Sequence, residues 1–226
     1  MKEVTDFLKG LHENNDRDWF NAHKGEYKLA LACFNGTVEK IIAGICSFDD
    51  SIGAPAVKDC TYRIYRDIRF SADKSPYKTY FSAFIAPKGK CGGYGGYYIH
   101  ISPSGDNILD GSYLITGIHM PEPKVLQSIR EEIEDNGEGI EQAIARTDGF
   151  VLSRWAELKR TPRGFAPGTP YDYLLRLKDL CIERKIDLGF IHADDFAERA
   201  VAAFATTKPF LDIVNRAVKY AYEEMM

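Results

Sequence analysis

The chain has 226 residues, of which 45% are hydrophobic and 27% charged, and its formal net charge is −4. This length and composition are typical of one globular domain and exclude an intrinsically disordered chain. Nonspecific nucleic-acid binding usually comes from a basic domain, so a nucleic-acid partner is the less expected alternative. No apolar run approaches the ~20 residues of a membrane span, and the N-terminus lacks a signal peptide. We therefore expect a cytoplasmic protein without a membrane partner.

Residues 1–48 are predicted to be helical. The segment TDFLKGLHENN is amphipathic, and apolar residues then recur every three or four positions in the longer segment that follows. Asn15 or Asp16 is the predicted N-cap of this second helix, and Gly36 is expected to bend or divide it. His23 lies on the apolar stripe, so we interpret it as a histidine packed in the core.

Residues 58–116 are predicted to form a β-meander of four strands. The first strand is expected in YRIYRDIRF (62–70), where alternate aromatic and β-branched residues up to Phe70 share one face. Alternation places Arg66 on this apolar face. An isolated buried charge is too costly, so Arg66 must be paired, either with a buried carboxylate or with a ligand.

Three further strands complete the predicted meander. They are expected in TYFSAFIAP (79–87), GGYYIHISP (95–103) and ILDGSYLIT (108–116), which are joined by turn signals and by a glycine-rich connection. Alternation in the second of these segments places Tyr98 and His100 on one face. An antiparallel meander can present such a face to solvent or to a ligand.

Residues 121–226 are predicted to be mainly helical with short strands. The predicted helices occupy residues 121–137, 139–147 and 170–185 and, in two pieces broken before Pro209, 193–226. Between them, 149–170 is expected to be irregular or short-stranded, and IDLGFI (186–191) is expected to be a strand. The predicted fold is therefore a single α+β domain over 1–226. Its central antiparallel sheet of about four or more strands is covered by N-terminal and C-terminal helices.

The positive charge of this acidic chain is concentrated in one segment. Residues 58–90 contain eight Lys or Arg against three Asp, a local charge of +5, and a second basic patch lies in RWAELKRTPR. Arginine donates two parallel hydrogen bonds to phosphate or carboxylate groups, so a small anionic ligand is the expected partner. The predicted ligand-binding residues are Arg63, Arg66, Arg69, Tyr77, Lys78, Tyr98 and Arg163, and His100 is the candidate general acid or base.

Two classes of function stay open at this point. The chain is either a binding protein or enzyme for a small phosphorylated or carboxylated ligand, or a noncatalytic interaction domain. In the second case, its basic face would meet an acidic partner or nucleic acid. The arginines also have a purely structural interpretation, in which they form ion pairs and SPYK fixes a turn.

No cofactor or metal site is expected. The five histidines form no HxH or HExxH pattern, and the five cysteines have no metal-ligand spacing. The glycine run GKCGGYGG lacks the order of residues that a phosphate-binding loop requires. The sequence therefore names no reaction.

Five segments together carry a resemblance to a known family: NNDRDWFNAH, YRIYRDIRFSADKSPYKT, GGYYIHISP, LKRTPRGF and KPFLDIVNRAV. The chain resembles the bacterial family catalogued as domain of unknown function 2461, over nearly its whole length. The most specific part is RDxRFSxDKSPYK. The resemblance implies a single cytoplasmic domain and assigns no catalytic residue.

Overall fold

A computed structural model describes residues 1–69 and 71–225, with five strands in this part of the chain. They are β1 (Phe81–Ile85), β2 (Gly96–Ile101), β3 (Ser112–Ile118), β4 (Val151–Leu152) and β5 (Leu180–Ile186). All pair antiparallel in one sheet of order β1-β2-β3-β5-β4. Together with the helices, this sheet confirms the predicted α+β fold class.

The helices precede and follow the first three strands. They are α1 (Lys2–Glu13), α2 (Arg17–Ala22), α3 (Lys24–Cys46), α4 (Val57–Cys60), α5 (Pro123–Ala145), α6 (Asp172–Leu175), α7 (Leu188–His192) and α8 (Phe196–Glu223). The Asp16 carboxylate accepts the backbone N–H groups of Asp18 and Trp19, each at 2.9 Å, which confirms it as an N-cap.

The N-terminal helical segment breaks at a different residue from the one expected. Helix α3 passes through Gly36 without interruption, so the predicted bend there is wrong. The break instead falls at His23, which separates α2 from α3. The His23 ring is half-buried and stacks on Trp19 with 4.0 Å between ring centroids, so it is not fully packed in the core.

The helices cover one face of the sheet. Alternate strand residues, such as Ala83, Ile99, Leu114 and Ile182, are fully buried in the main hydrophobic core. Helix α8 packs on β3, while α3 and α5 pack against α8. The residues of opposite parity lie on the other face of the sheet, where a separate small cluster surrounds Ile115.

Residues 62–69 do not form the strand that was predicted over 62–70. Within the described residues, one isolated bridge joins Tyr65 to Tyr77, and the segment otherwise runs as an irregular loop. The carboxylates of Asp67 and Asp73 accept the nearby backbone N–H groups of Arg69 and Ser75. Such local bonds compete with a strand ladder. Phe70, which the prediction placed in this strand, lies outside the described residues.

The loop of residues 61–80 is held in place by aromatic packing. The ring of Phe20 in α2 stacks on Tyr77, with 4.0 Å between centroids and an interplanar angle of 13°. Asn15 binds the backbone of Tyr77 twice, by accepting its N–H and by donating to its carbonyl oxygen. These contacts fix the backbone immediately before Lys78.

The predicted helix at 170–185 is wrong over most of its length. Only α6 is helical, and β5 follows it and pairs with β3 across seven residue pairs. Leu180 and Ile182 are buried in the main core, whereas Lys185 is exposed, which is the alternation of a strand. A short apolar run of this kind does not by itself distinguish a helix from a strand.

Three smaller differences concern helices α5, α7 and α8. The predicted strand at 186–191 is wrong, because Asp187 accepts the N–H of Phe190 at 2.7 Å and caps α7. Helix α5 joins two predicted helices across a kink at Asn136. Helix α8 continues through Pro209, so the expected break there is also wrong. Fully buried side chains on both sides of Pro209 keep the two halves packed in the same core.

Helix α3 is long and apolar enough to span a membrane by length and composition, with a mean hydropathy of 1.5. The expectation that no segment meets this criterion is therefore wrong. Phe34, Ile41 and Ile45 of α3 lie in the core of the fold. Core helices pass the same test, so this single helix is weak evidence for a membrane span.

Candidate functional site

A cavity of about 620 Å³ lies on the face of the sheet that the long helices leave uncovered. Phe84, Tyr98 and Ile115, which are paired neighbours across three strands, lie along it. Two glycines, Gly96 of β2 and Gly117 of β3, face each other across the strand pair and also line it. Neither carries a side chain, so it is their backbone that lines the cavity at this point.

Seven Phe, Tyr or Trp side chains line the cavity. Tyr62 and Tyr80 of the 61–80 loop stand beside Tyr98 of β2, and burial raises the pKa of Tyr80 to about 12. The rim carries exposed apolar side chains, including Ile108, Met120 and Trp155. Exposed apolar side chains that cluster around a concavity, rather than being scattered singly, are typical of a binding site.

Lys78 is one of two lysines that line the cavity. Its ammonium lies 5.4 Å from the Tyr62 ring centroid and 5.6 Å from that of Tyr80, and its side chain is half-buried. Within the described residues, no carboxylate lies within 4 Å of it. Burial lowers the pKa of Lys78, and the charge of Arg63 lowers it further. A half-buried ammonium without an acidic partner is suited to receive an anion.

A second lysine adds positive charge to the cavity. Lys90 lines the cavity, and its ammonium lies 5.8 Å from the Tyr62 ring centroid. It donates a hydrogen bond to the backbone carbonyl of Lys58 at 2.8 Å. Both lysines therefore approach the Tyr62 ring.

Tyr98 connects the cavity to a buried histidine. The Tyr98 hydroxyl lies 3.0 Å from Nδ1 of His100, and Nε2 of His100 lies 2.7 Å from Oδ2 of Asp106. The His100 side chain is fully buried, whereas Tyr98 lines the cavity. Burial opposes ionisation of Asp106, but hydrogen bonds from His100 and from the Ile108 backbone lower its pKa overall. Asp106 is therefore the charged end of this chain of three side chains.

A second histidine, His119, lines the cavity itself. Nδ1 of His119 lies 3.2 Å from Oδ2 of Asp179, and this hydrogen bond raises the pKa of His119. Asp179 also accepts the backbone N–H of Met120 at 2.7 Å. Met120 has a positive φ of 48°, which is uncommon for a residue with a side chain. The backbone of the rim is thus held in a strained conformation at Met120.

A second cleft of about 650 Å³ shares Lys78, Tyr80 and Ile108 with the cavity. Arg66 lies in this cleft, where its guanidinium pairs with Asp73 and donates to the Ser75 carbonyl. Arg66 is more buried than Arg63 and Arg69, as expected. Its partner, however, is not a buried carboxylate, because the Asp73 side chain is 52% exposed.

The predicted site residues fall into three groups. The structure brings Lys78 and Tyr98 together at the cavity, with His100 behind Tyr98. Arg66 and Tyr77 instead line the second cleft. The other three are exposed and line neither space within the described chain: Arg63, Arg69 and Arg163.

Two predicted binding residues have structural partners. Arg69 forms a two-pronged ion pair with Asp67, at 3.0 Å and 2.6 Å. The Tyr77 ring is buried against Phe20 and belongs to the main core. For both residues, the structural interpretation accounts for these contacts.

Replacing Arg66 with alanine is now expected to cause only a small loss of thermal stability. The half-exposed Asp73 stays in contact with water when its partner is removed, so no buried charge is left unpaired. Arg69→Ala, which breaks an exposed pair, is the control. Thermal denaturation of both variants checks this. A large loss confined to Arg66→Ala would show that the pair behaves as a buried one.

The sequence analysis missed several residues of the cavity. Tyr80, Lys90, His119 and Trp155 all line it, and they come from segments far apart in the chain. Tyr80 has the parity of Ser82 and Phe84, which could have placed it on the ligand face. Lys90 belongs to the basic segment 58–90 and could have been named with Lys78. His119 and Trp155 carry no signal in the sequence, because long-range packing brings them to the cavity.

Metal ligands do not cluster in the described part of the chain. No group of three or more His, Cys, Asp or Glu side chains there is arranged to hold a metal ion. What the cavity offers instead is two lysines beside aromatic side chains, together with His119, which pairs with Asp179. The pair of His100 and Asp106 is buried behind Tyr98.

Comparison with known proteins gives one match. A family model described as "Conserved hypothetical protein (DUF2461)" matches residues 3–212. No curated protein and no solved structure matches the chain. The matched range contains the whole sheet and nearly all of the residues that line the cavity.

Proposed function

The chain belongs to this family, as its sequence motifs predicted, and we propose that it binds a small amphipathic anion in the sheet cavity. The ligand would combine an apolar or aromatic body with a phosphate or carboxylate group. The family description names no activity. The proposal therefore rests on the chemistry of the cavity itself.

The observation that carries the proposal is the environment of Lys78. Water is partly excluded from its ammonium, yet no carboxylate within the described residues neutralises it. An anion bound there would form a charge-assisted hydrogen bond in surroundings of reduced dielectric. The tyrosine rings beside it and the apolar rim would cover the rest of the ligand.

The second candidate is a noncatalytic interaction domain whose basic face binds an acidic partner or nucleic acid. Two of the arginines that suggested such a face, Arg66 and Arg69, are paired with Asp73 and Asp67. Ion pairing lowers the net positive charge that a large polyanion would meet. The concave shape around Lys78 favours a small ligand over an extended one.

The proposal is tested with 1-naphthoate, an aromatic carboxylate, and with 1-naphthalenemethanol, its uncharged counterpart. The wild-type protein should bind naphthoate more tightly than the alcohol. Lys78→Met keeps a long, unbranched side chain but removes the charge. It should weaken naphthoate binding by about 10- to 100-fold, since a hydrogen bond to a charged group contributes about 1.5–3 kcal/mol. It should leave binding of the alcohol nearly unchanged. Isothermal titration calorimetry measures all four affinities.

The matched control is Lys28→Met, which removes an exposed lysine of α3 and should alter neither affinity. Thermal denaturation gives a second readout, because a ligand at 100 times its Kd stabilises the folded state by about 2.7 kcal/mol. Equal affinity of the wild-type protein for the two probes would contradict the proposal, as would naphthoate binding that survives Lys78→Met. A response to long polyanions alone would favour the interaction domain.

A further inference from the structure

We propose that Tyr98 is a catalytic residue that delivers a proton to the anion bound in the cavity, and that His100 and Asp106 position and resupply that proton. This inference rests on the proposed function, because it requires an anionic ligand beside Tyr98. It assigns the cavity to reactions in which negative charge develops on an oxygen atom of the ligand. Such reactions are accelerated by a positioned general acid.

The hydrogen bonds of Asp106 determine which nitrogen of His100 carries a proton. Oδ1 of Asp106 accepts the backbone N–H groups of Ile108 and Leu109, at 2.7 Å and 3.2 Å. Oδ2 is left to accept from Nε2 of His100 at 2.7 Å. A carboxylate held by three donors is an acceptor only, so Nε2 must carry a hydrogen. In the neutral imidazole, Nδ1 then has a free lone pair, which accepts a hydrogen bond from the Tyr98 hydroxyl, with 3.0 Å between the two atoms.

The position of Tyr98 makes it the connection between the buried pair and the cavity. His100 is fully buried and is not among the cavity-lining residues, so it cannot touch a ligand there directly. Tyr98 touches both. Burial raises the pKa of Tyr98, which keeps its hydroxyl protonated and able to donate. This is the geometry of a nucleophile or acid, its base and an orienting carboxylate, with a phenol as the outermost group.

The proposed transfer conserves protons. When an anion binds, the Tyr98 O–H turns from Nδ1 to the ligand oxygen. A proton from water in the cavity reaches Nδ1 through the Tyr98 hydroxyl, which passes its own proton to Nδ1 and takes up the new one. Nδ1 then donates a hydrogen bond to the phenol oxygen, and Asp106 stabilises the imidazolium. As charge grows on the ligand oxygen, the phenol proton passes to it and the Nδ1 proton passes to the phenol. His100 is then neutral again, and the ligand has gained one proton.

Within the described residues, Asp106 is the charged side chain that contacts His100. The Tyr80 ring lies 4.4 Å away between centroids, and the cross-strand neighbours are Ser82 and Tyr113. Tyr113 donates to Asp110, which also pairs with Lys185. Besides tyrosines and the buried Cys181, five further groups that line the cavity could take up or release protons: Lys78, Lys90, Cys91, His119 and Glu122. Of these, His119 is the one whose ordinary range is closest to neutral pH, so it needs its own control.

The test counts the protons taken up when 1-naphthoate binds. Naphthoate carries a negative charge but does not react, so it represents the ligand before proton delivery. The proposed transfer should therefore stop with His100 protonated. Calorimetry at about pH 7 in buffers of different ionisation enthalpy should show uptake of about one proton per bound naphthoate in the wild-type protein. Tyr98→Phe should bind naphthoate within about tenfold of wild type, because Lys78 remains, but with almost no proton uptake. His119→Gln should keep the full uptake.

A spectroscopic readout identifies the site of uptake. The ¹⁵N signals of His100 should show a protonated Nε2 and an unprotonated Nδ1 in the free protein, and two protonated nitrogens in the naphthoate complex. Asp106→Asn should abolish this change. If that variant does not fold, Tyr98→Phe tests the same point, since it also removes the reason for Nδ1 to gain a proton.

The outcomes separate the two proposals. Failure of naphthoate to bind overturns the binding proposal and the relay with it. Binding without proton uptake overturns the relay alone. Uptake that persists in Tyr98→Phe, or that disappears in His119→Gln, also overturns the relay, because the proton would then reside elsewhere.

Discussion

Replacing Gly117 with alanine is expected to destabilise the fold by about 3–5 kcal/mol, from backbone strain of ~1–3 kcal/mol and overpacking of a similar size. Gly117 has a φ of +139°, a conformation that L side chains rarely adopt. A Cβ added there would lie 2.2 Å from the Leu180 carbonyl oxygen of the neighbouring strand. That contact is with backbone, so a side-chain rotation cannot relieve it. The strand pair between β3 and β5 would have to separate locally.

Urea denaturation measures this loss, with the slope of the transition as a check that the folded state stays compact. The matched control is Gly36→Ala in α3, where an added Cβ meets nothing within 4 Å. In a helix interior this change should stabilise the protein by about 0.5–1 kcal/mol. The two alanine substitutions thus have opposite expected signs. A Gly117→Ala variant as stable as the wild type would show that the strand pair tolerates a wider separation.

Replacing Phe20 with alanine is expected to cost about 3–5 kcal/mol, the usual range for truncating a buried phenylalanine. For a chain of this size, that corresponds to a fall in Tm of roughly 6–20 °C. The Phe20 ring is 1% exposed, stacks on Tyr77 and contacts Phe7 and Tyr27. The loss should therefore combine a core cavity with the release of the loop that carries Lys78.

This second consequence makes the variant informative about the site. Naphthoate affinity should fall in Phe20→Ala under conditions where the variant is still folded, because Lys78 loses its fixed position. Leu29→Ala is the control, since Leu29 is exposed in α3 and its truncation should change stability by no more than ~0.5 kcal/mol. A Phe20→Ala variant that loses stability but binds naphthoate normally would show that Tyr77 does not position Lys78.

The site was only partly predictable. The concentration of Arg, Lys and Tyr in residues 58–90 correctly indicated Lys78 as a cavity residue, and the parity of β2 placed Tyr98 and His100 on one face. Sequence reasoning gave the arginines the main role, because charge and spacing do not show which cations already have acidic partners. Arg69 pairs with Asp67 two residues away, whereas Lys78 has no such neighbour within the described chain.

The failure of the predicted strand at 62–70 has a related cause. Its alternation of apolar and charged residues is a sound strand signal, but a strand also needs a partner along its length. Here Asp67 and Asp73 bind nearby backbone N–H groups, and Phe20 fixes Tyr77. The local bonds and the stacking stabilise an irregular loop. This loop brings Tyr62 and Lys78 over the open face of the sheet.

The sequence alone determined the α+β class, the three strands of 79–116, a helix cap at Asn15 or Asp16, and the family. These features depend on side-chain periodicity, turn residues and short motifs, which act between residues that are close in the chain. Only the tertiary structure decided that β5 pairs with β3, that Asp106 binds His100, and that Trp155 shares a cavity with Lys78. Such contacts are selected by burial and hydrogen bonding of the whole fold, and many local patterns are compatible with them.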